Sequence, residues 1–193
     1  HALVRRQRQM CIRDRLLASG GHCQYLAVLG ANEIKRLGTT IDDAPGEVFD
    51  KVAKMLSLPI FSGSEVEKWA EKGDKSRFSF PLPIINKNDC DLSFYVLKSS
   101  VRRPVDYLVE KQSGLYLRDQ RDICASFQKS MKLIFEQKTK KAIELFSRVS
   151  SVKSLSFSLA GGVAANKEIR NSLRGLCNNP VSYTHLRAHE TLS

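Results

Sequence analysis

The chain has no run of 18 consecutive apolar residues and no apolar segment at its start. These absences speak against a helical membrane span and a secretory leader, so the expectation is a cytoplasmic protein with no membrane partner, the mitochondrial matrix being the alternative. It also has no Cys-x-x-Cys pair: Cys11, Cys23, Cys90, Cys124 and Cys177 are odd in number and widely spaced, which fits reduced thiols rather than a disulfide framework. A Gly-x-Ser-x-Gly elbow is missing, as is the Walker lysine motif, so the usual signatures of a serine hydrolase and a P-loop NTPase are not present. No arginine-aromatic RNA-recognition motif occurs.

The 193 residues, 42% of them hydrophobic, are enough to build the core of one ordinary domain or pieces of two lobes. The formal net charge is +11. Residues 1–15 hold five arginines against one aspartate, and the remainder carries 26 basic and 19 acidic residues. That surplus suits a polyanion such as tRNA without identifying it. Both ends, 1–15 and 180–193, read as foreign flanks resembling translated adapter sequence, and they are set apart from 16–179. His185 and His189 have the spacing of a metal pair on a helix, but they fall in the closing flank with no third ligand nearby, and no metal is assigned to them.

Leu16–Ala18 and Cys23–Leu29 read as a hairpin, with a third strand over Glu33–Thr40. Ile41-Asp-Asp-Ala-Pro-Gly-Glu47 places carboxylates and a proline ahead of a helix whose Val48, Phe49, Val52, Met55 and Leu56 share one face, and the acids suit its first turn. Pro59–Ser64 predicts a loop containing Gly63, and Glu65–Lys72 a short helix. Asp91–Leu97 alternates like a strand, and 99–120 shows little pattern. Asp122–Val149 predicts the longest helix, its lysines at 129, 132, 138, 140 and 141 mostly on the solvent side. Leu155–Leu159 is a buried-type strand and Lys167–Leu176 the last helix. Strands, a long helix, a strand and a helix in this order predict an α/β fold, a mixed sheet with packed helices.

Two elements break an apolar run on paired glycines: Leu16-Leu-Ala-Ser-Gly-Gly-His22, and Ser158-Leu-Ala-Gly-Gly-Val-Ala-Ala-Asn166, which restarts as a helix. Glycines permit a sharp turn and close approach to a ligand, and Asn166 stands where the helix needs a cap. A strand, a glycine turn and a helix N-terminus together suit an anion or nucleotide.

Four blocks in order, LLASGGHCQ (16–24), LGTTIDDAPGEVFDKVAKMLSL (37–58), DLSFYVLKS (91–99) and LAGGVAANKEIR (159–170), resemble the tRNA threonylcarbamoyladenosine transferase family, the TsaD type. The resemblance implies part of an actin/Hsp70/hexokinase-like (ASKHA) fold, two α/β lobes around a nucleotide cleft. It implies transfer of the threonylcarbamoyl group from threonylcarbamoyl-adenylate to the adenosine next to the tRNA anticodon, releasing AMP. Accessory subunits or self-association, and a divalent metal (iron or zinc) in the full-length family, follow from it too. By the same resemblance, Leu17, Ala18, Ser19, Gly20 and Gly21 approach the phosphate and acyl portion, Asp50 holds the ribose, Gly63 lines the nucleoside pocket and Asn166 bonds the adenine side. Glu67, Gly161 and Gly162 are weaker candidates.

Several family features are absent: the Glu-Thr-Ser-Cys-Asp-Glu-Thr block, the His-x-x-x-His metal pair and the Cys-Thr-Asp-Asn-Gly block. The chain therefore reads as the central part of such a transferase, holding no metal in the family's manner and not completing transfer by itself. Ser-Phe-Tyr-Val-Leu-Lys replaces the family's Ser-Phe-Ser-Gly-Leu-Lys, putting Val96 where a close backbone approach would be crowded. Phe-Ser-Gly-Ser replaces Pro-Gly-Gly-Pro around Gly63. A sugar kinase or ATPase of the same fold, and a non-catalytic binding relative, are the alternatives.

Overall fold

The computed structural model describes residues 15–18, 23–30, 32–83, 87–149, 156–159, 161–177 and 186–188. The hairpin forms as expected: β1 (Arg15–Ala18) pairs antiparallel with β2 (Gln24–Val28), which pairs antiparallel with β3 (Ile34–Thr39) across a bulge at Tyr25/Leu26. On the other side of β1 lies β4 (Ser156–Leu159), parallel to it, and β5 (Leu186–Ala188), in the closing segment set apart above, runs parallel to β4. The sheet order is β3-β2-β1-β4-β5. Six helices accompany it among the described residues: α1 (Pro45–Met55), α2 (Gly63–Ala70), α3 (Tyr95–Gln112), α4 (Leu117–Val149), α5 (Gly162–Ala165) and α6 (Lys167–Cys177). The result is the mixed sheet with packed helices that the order of elements predicts. None of these helices is long and apolar enough to cross a membrane.

α4 organises the core. Its 33 residues span about 50 Å, and Ile123, Phe127, Met131, Ile134, Phe135 and Ala142 are buried against the sheet and the neighbouring helices. Phe127 meets Phe49 of α1 edge-on at 5.1 Å, and Phe135 packs on Phe94 at 5.7 Å. One lysine departs from the expected solvent side. Lys138 is 1% exposed, and its ammonium donates to the backbone oxygen and carboxylate of Asp89 at 3.0 and 3.1 Å. Lys132 and Lys141 are paired with Glu136 and Glu144. Burial pushes the Cys23 and Cys124 thiols up to about 12 and Cys90 to about 11, so these core thiols are protonated and inert at neutral pH.

Three expectations are corrected. Asp91–Leu97 is not a strand: Leu92 forms a single bridge with Thr40, and from Tyr95 the chain is helical through the stretch that showed little pattern. Leu97, Val101 and Leu108 are its buried stripe, a helical spacing that Pro104 inside the helix disguises. Gly63 is not in a loop but is the first residue of α2, behind the N-cap Ser62, whose Oγ accepts from the Glu65 amide at 3.3 Å. Nor does Asp42 serve the first turn of α1. Its carboxylate accepts from the Phe94 and Tyr95 amides at 2.8 and 3.2 Å and from the Ser93 hydroxyl, capping α3.

α1 ends in a Schellman turn, with Ser57 N–H donating to Lys54 O and Leu58 N–H to Ala53 O. Ser57 adopts φ 52°, where a side chain is strained by about 1 kcal/mol. Ser57→Gly is therefore expected to raise the unfolding free energy by roughly 0.5–1 kcal/mol. The urea midpoint reads this out, and an unchanged or lower midpoint would count against the strain.

Candidate functional site

α1 is fixed from both ends before it presents anything to solvent. Asp43 accepts from Lys51 of α1 at 2.7 Å and from Lys98 of α3, and these hydrogen bonds hold its carboxyl below the ordinary aspartate range. The acidic pair in the family-specific block is thus a tie between α1 and α3, and neither acid lines the pocket described next. Phe49, anchored on Phe127, then sets the rotation of α1 and leaves the adjacent Asp50 exposed.

Asp50 meets α2 at its start. Its Oδ1 accepts the Gly63 N–H at 3.1 Å, satisfying one of the free amides of a helix N-terminus. A Cβ on Gly63 would lie 3.2 Å from the Cβ of Phe49, so α1 and α2 approach closely here because residue 63 has no side chain. Four residues on, Glu67 reaches out of α2 to the third wall, where Oε1 accepts the Lys167 amide at 2.6 Å at the start of α6.

That third wall is the glycine turn and the helices behind it. Gly161 takes φ 79°, a region that favours glycine, and hands the chain to α5. Asn166 follows and is 7% exposed. Its Oδ1 accepts from the Ile169 amide at 3.0 Å, the cap expected from sequence, and its Nδ2 donates to Gln128 Oε1 of α4 at 2.9 Å. Gln128 in turn donates to Glu168, which is paired with Lys75 at 2.8 Å.

Between these walls is a pocket of about 320 Å³, lined by Phe49, Asp50, Gly63, Glu67, Gly162 and Asn166 together with Gly46, Ser62, Ser64 and Ala165. The volume is in the range of small-ligand sites. Five sequence-selected residues, Asp50, Gly63, Glu67, Gly162 and Asn166, are therefore brought to one cavity from segments more than a hundred positions apart. Gly161 precedes the wall without lining it. Leu17 and Ala18 lie in β1, where Ala18 is paired with Leu159, so the chain leaves β1 and β4 at the same end of the sheet. In open α/β sheets that end is where ligands bind. Ser19, Gly20 and Gly21 lie outside the described residues, as do His185 and His189.

The sequence reading missed Ser62 and Ser64, whose hydroxyls are 3.0 Å apart at the pocket's edge. The signal was the replacement of Pro-Gly-Gly-Pro by Phe-Ser-Gly-Ser, which puts hydroxyls on both sides of Gly63. The crowding expected at Val96 does not arise within the chain, since Tyr95 and Val96 stand on the outer side of α3, 58% and 49% exposed. Among the described residues no group of three or more His, Cys, Asp or Glu side chains is placed to hold a metal ion. The pocket's Asp50 and Glu67 alone do not make up the donor set of such an ion.

The sequence profile described as TsaD, tRNA N6-adenosine threonylcarbamoyltransferase, matches residues 10–189. A tRNA N6-adenosine threonylcarbamoyltransferase of Roseobacter denitrificans is 47% identical over 158 residues, covering 82% of this chain and 43% of the relative. One from Paracoccus denitrificans is 47% identical over 161 residues, covering 83% and 44%. This chain spans less than half the length of these relatives. Among solved structures, component A of the (R)-2-hydroxyglutaryl-CoA dehydratase of Acidaminococcus fermentans is similar at a TM-score of 0.43 and 17% identity, over 93% of this chain and 56% of that one. With the profile matching nearly the whole length and relatives this similar, the chain belongs to the TsaD family of tRNA N6-adenosine threonylcarbamoyltransferases.

Proposed function

We propose that this chain is the nucleotide-holding part of a transferase that moves the threonylcarbamoyl group from threonylcarbamoyl-adenylate to the exocyclic amine of the adenosine beside the tRNA anticodon. In that step the amine nitrogen bonds to the carbamoyl carbon and gives up a proton. The bond from that carbon to the phosphate oxygen breaks, and AMP leaves with the electron pair. The mixed anhydride is already activated, so the protein's task is to position it and stabilise the developing oxyanion rather than to supply a nucleophile. Asp50, with one carboxylate oxygen spent on Gly63, uses the other to accept from the ribose hydroxyls. Asn166 meets the adenine side, Gly63 and Gly162 let the nucleoside lie against backbone, and Leu17 to Gly21 face the phosphate and acyl portion. The ASKHA arrangement of two lobes around a cleft belongs to the same reading, as do a cytoplasmic setting and accessory subunits or self-association. Because the family's histidine pair and Asp-Asn-Gly block are absent from its sequence, the chain alone binds nucleotide without completing transfer.

The observation that carries this is the convergence of Asp50, Gly63, Glu67, Gly162 and Asn166 on one pocket. The test is calorimetric titration with AMP. Binding is expected, with Asp50→Ala weakening it about tenfold to a hundredfold, the usual range for a hydrogen bond to a charged group. Asp50→Asn, which keeps an acceptor for Gly63, should lose less. Absence of AMP binding, or an affinity indifferent to both substitutions, would remove the reading, and ADP formation from ATP would favour the kinase alternative.

A further inference from the structure

A second concavity, of about 780 Å³, lies between the Phe78–Pro81 segment and the first turns of α3, away from the residues of the nucleotide pocket. Its chemistry is distinctive. Phe78, Phe80 and Tyr95 offer rings, Ser99 and Ser100 offer hydroxyls, Arg103 offers the charge, and no carboxylate lines it. Phe78 and Phe80 are stacked with 18° between their planes, and Arg77 sits over Phe78 at 5.1 Å. Lys98 sits over the Tyr95 ring at 4.9 Å, yet that ring remains 58% exposed, beside Val96 at 49%. Arg103 has no hydrogen-bond or ion-pair partner among the described residues, whereas its neighbour Arg102 is paired with Asp106. The exposed Tyr95 ring beside Arg103, with hydroxyls and no carboxylate in the lining, fits a polyanion that carries flat faces. An apolar peptide would leave Arg103 unanswered, and an acidic one would leave the Tyr95 ring uncovered.

We propose that this groove receives an unpaired stretch of the RNA substrate, one base stacking on Tyr95 and an adjoining phosphate meeting Arg103; this rests on the transferase reading above. Where the family pattern has Ser-Gly, this chain has Tyr95-Val96, so the platform belongs to this sequence and is not expected in every relative. The groove and the nucleotide pocket are joined mechanically, because Asp42 and Asp43, which precede α1, hold the first turns of α3.

The test uses the full chain and a fluorescently labelled, unmodified tRNA transcript. Tyr95→Ala and Arg103→Ala are each expected to weaken tRNA binding about tenfold, and Tyr95→Phe to leave it nearly unchanged. Arg103→Ala should also flatten the slope of log affinity against log salt by about one. Affinity for AMP should be the same in all variants, since these exposed residues do not line its pocket. If AMP binds while tRNA affinity ignores both alanine substitutions, the groove assignment fails and the transferase reading stands. If neither AMP nor tRNA binds, both fail. Substitutions that alter only self-association would overturn the RNA assignment in favour of a protein contact.

Discussion

Arg77→Met is expected to lower the unfolding free energy by about 3 kcal/mol, because it strips the shared cation from two buried carboxylates. The two terminal nitrogens of Arg77 donate to Asp119 at 2.6 Å and Asp122 at 2.8 Å, and both acidic side chains are 5% exposed. The remaining oxygens are also used. Asp119 accepts from Gln112 at 2.6 Å and the Tyr116 amide at 3.2 Å, and Asp122 accepts from the Asp74 amide at 2.7 Å. These bonds close the α3–α4 corner and hold the turn after α2 against α4, a turn already so close that a Cβ on Gly73 would fall 2.1 Å from the Arg121 carbonyl oxygen. A lysine cannot fork to two acids, so Arg77→Lys should lose an intermediate amount.

The pH dependence separates this ion cluster from simple packing. Burial works against ionisation of Asp119, but the hydrogen bonds from Gln112, Arg77 and the Tyr116 amide outweigh it and hold its carboxyl below the usual range. A carboxyl lowered in the folded state stabilises fully above its unfolded value, about pH 3.9, and that contribution is lost as pH falls through the folded value. In Arg77→Met, Asp119 keeps the Gln112 and Tyr116 bonds but loses the guanidinium that helps them oppose burial, so its protonation becomes more favourable. The gap between wild type and variant should therefore narrow as pH falls from 7 towards 4. Urea unfolding at several pH values decides it; a loss below about 1 kcal/mol, or a gap independent of pH, would show that the cluster contributes little.

Asn166→Ala is expected to cost about 2 kcal/mol and to weaken AMP binding together with it. Two interactions vanish at once: the cap on the Ile169 amide, typically about 1 kcal/mol, and the partner of a buried Gln128 oxygen, whose loss carries a further penalty of about 1 kcal/mol or more. Asn166→Asp distinguishes them. The carboxylate still caps α6, so most of the helix stability should return, but it cannot donate to Gln128 or to a ligand acceptor. Recovery of stability without recovery of AMP affinity is the expected pattern. A loss below 0.5 kcal/mol in Asn166→Ala, on the scale of an ordinary surface change, would remove Asn166 as the joint between α4, α6 and the pocket.

Local rules carried the sequence reading a good distance. The hairpin, α1, α4 and α6 follow from alternation, helical spacing and cap residues within a few positions of one another, and the paired glycines at 161 and 162 marked a real turn. The reading failed where a partner from far along the chain decided the outcome. Asp91–Leu97 alternates locally, yet Asp42, 52 positions before Phe94, takes the amides that begin α3. Gly63 looked like loop because the residues around it are turn formers, but Ser62 caps it from one side and the Asp50 carboxylate from another.

The amino-acid order by itself determined which residues are candidates: it supplied Asp50, Gly63, Glu67, Gly162 and Asn166, the helical face that buries Phe49, and the acidic pair ahead of α1. Only the tertiary structure decided that those five line one cavity, that Asp42 and Asp43 tie helices together rather than face a ligand, and that Tyr95 and Arg103 gather on a separate groove. Periodicity and capping act over a turn or a strand and are written in neighbouring residues. Which wall meets which is settled by the packing of α1, α2 and α6 around α4, and no local rule encodes that choice.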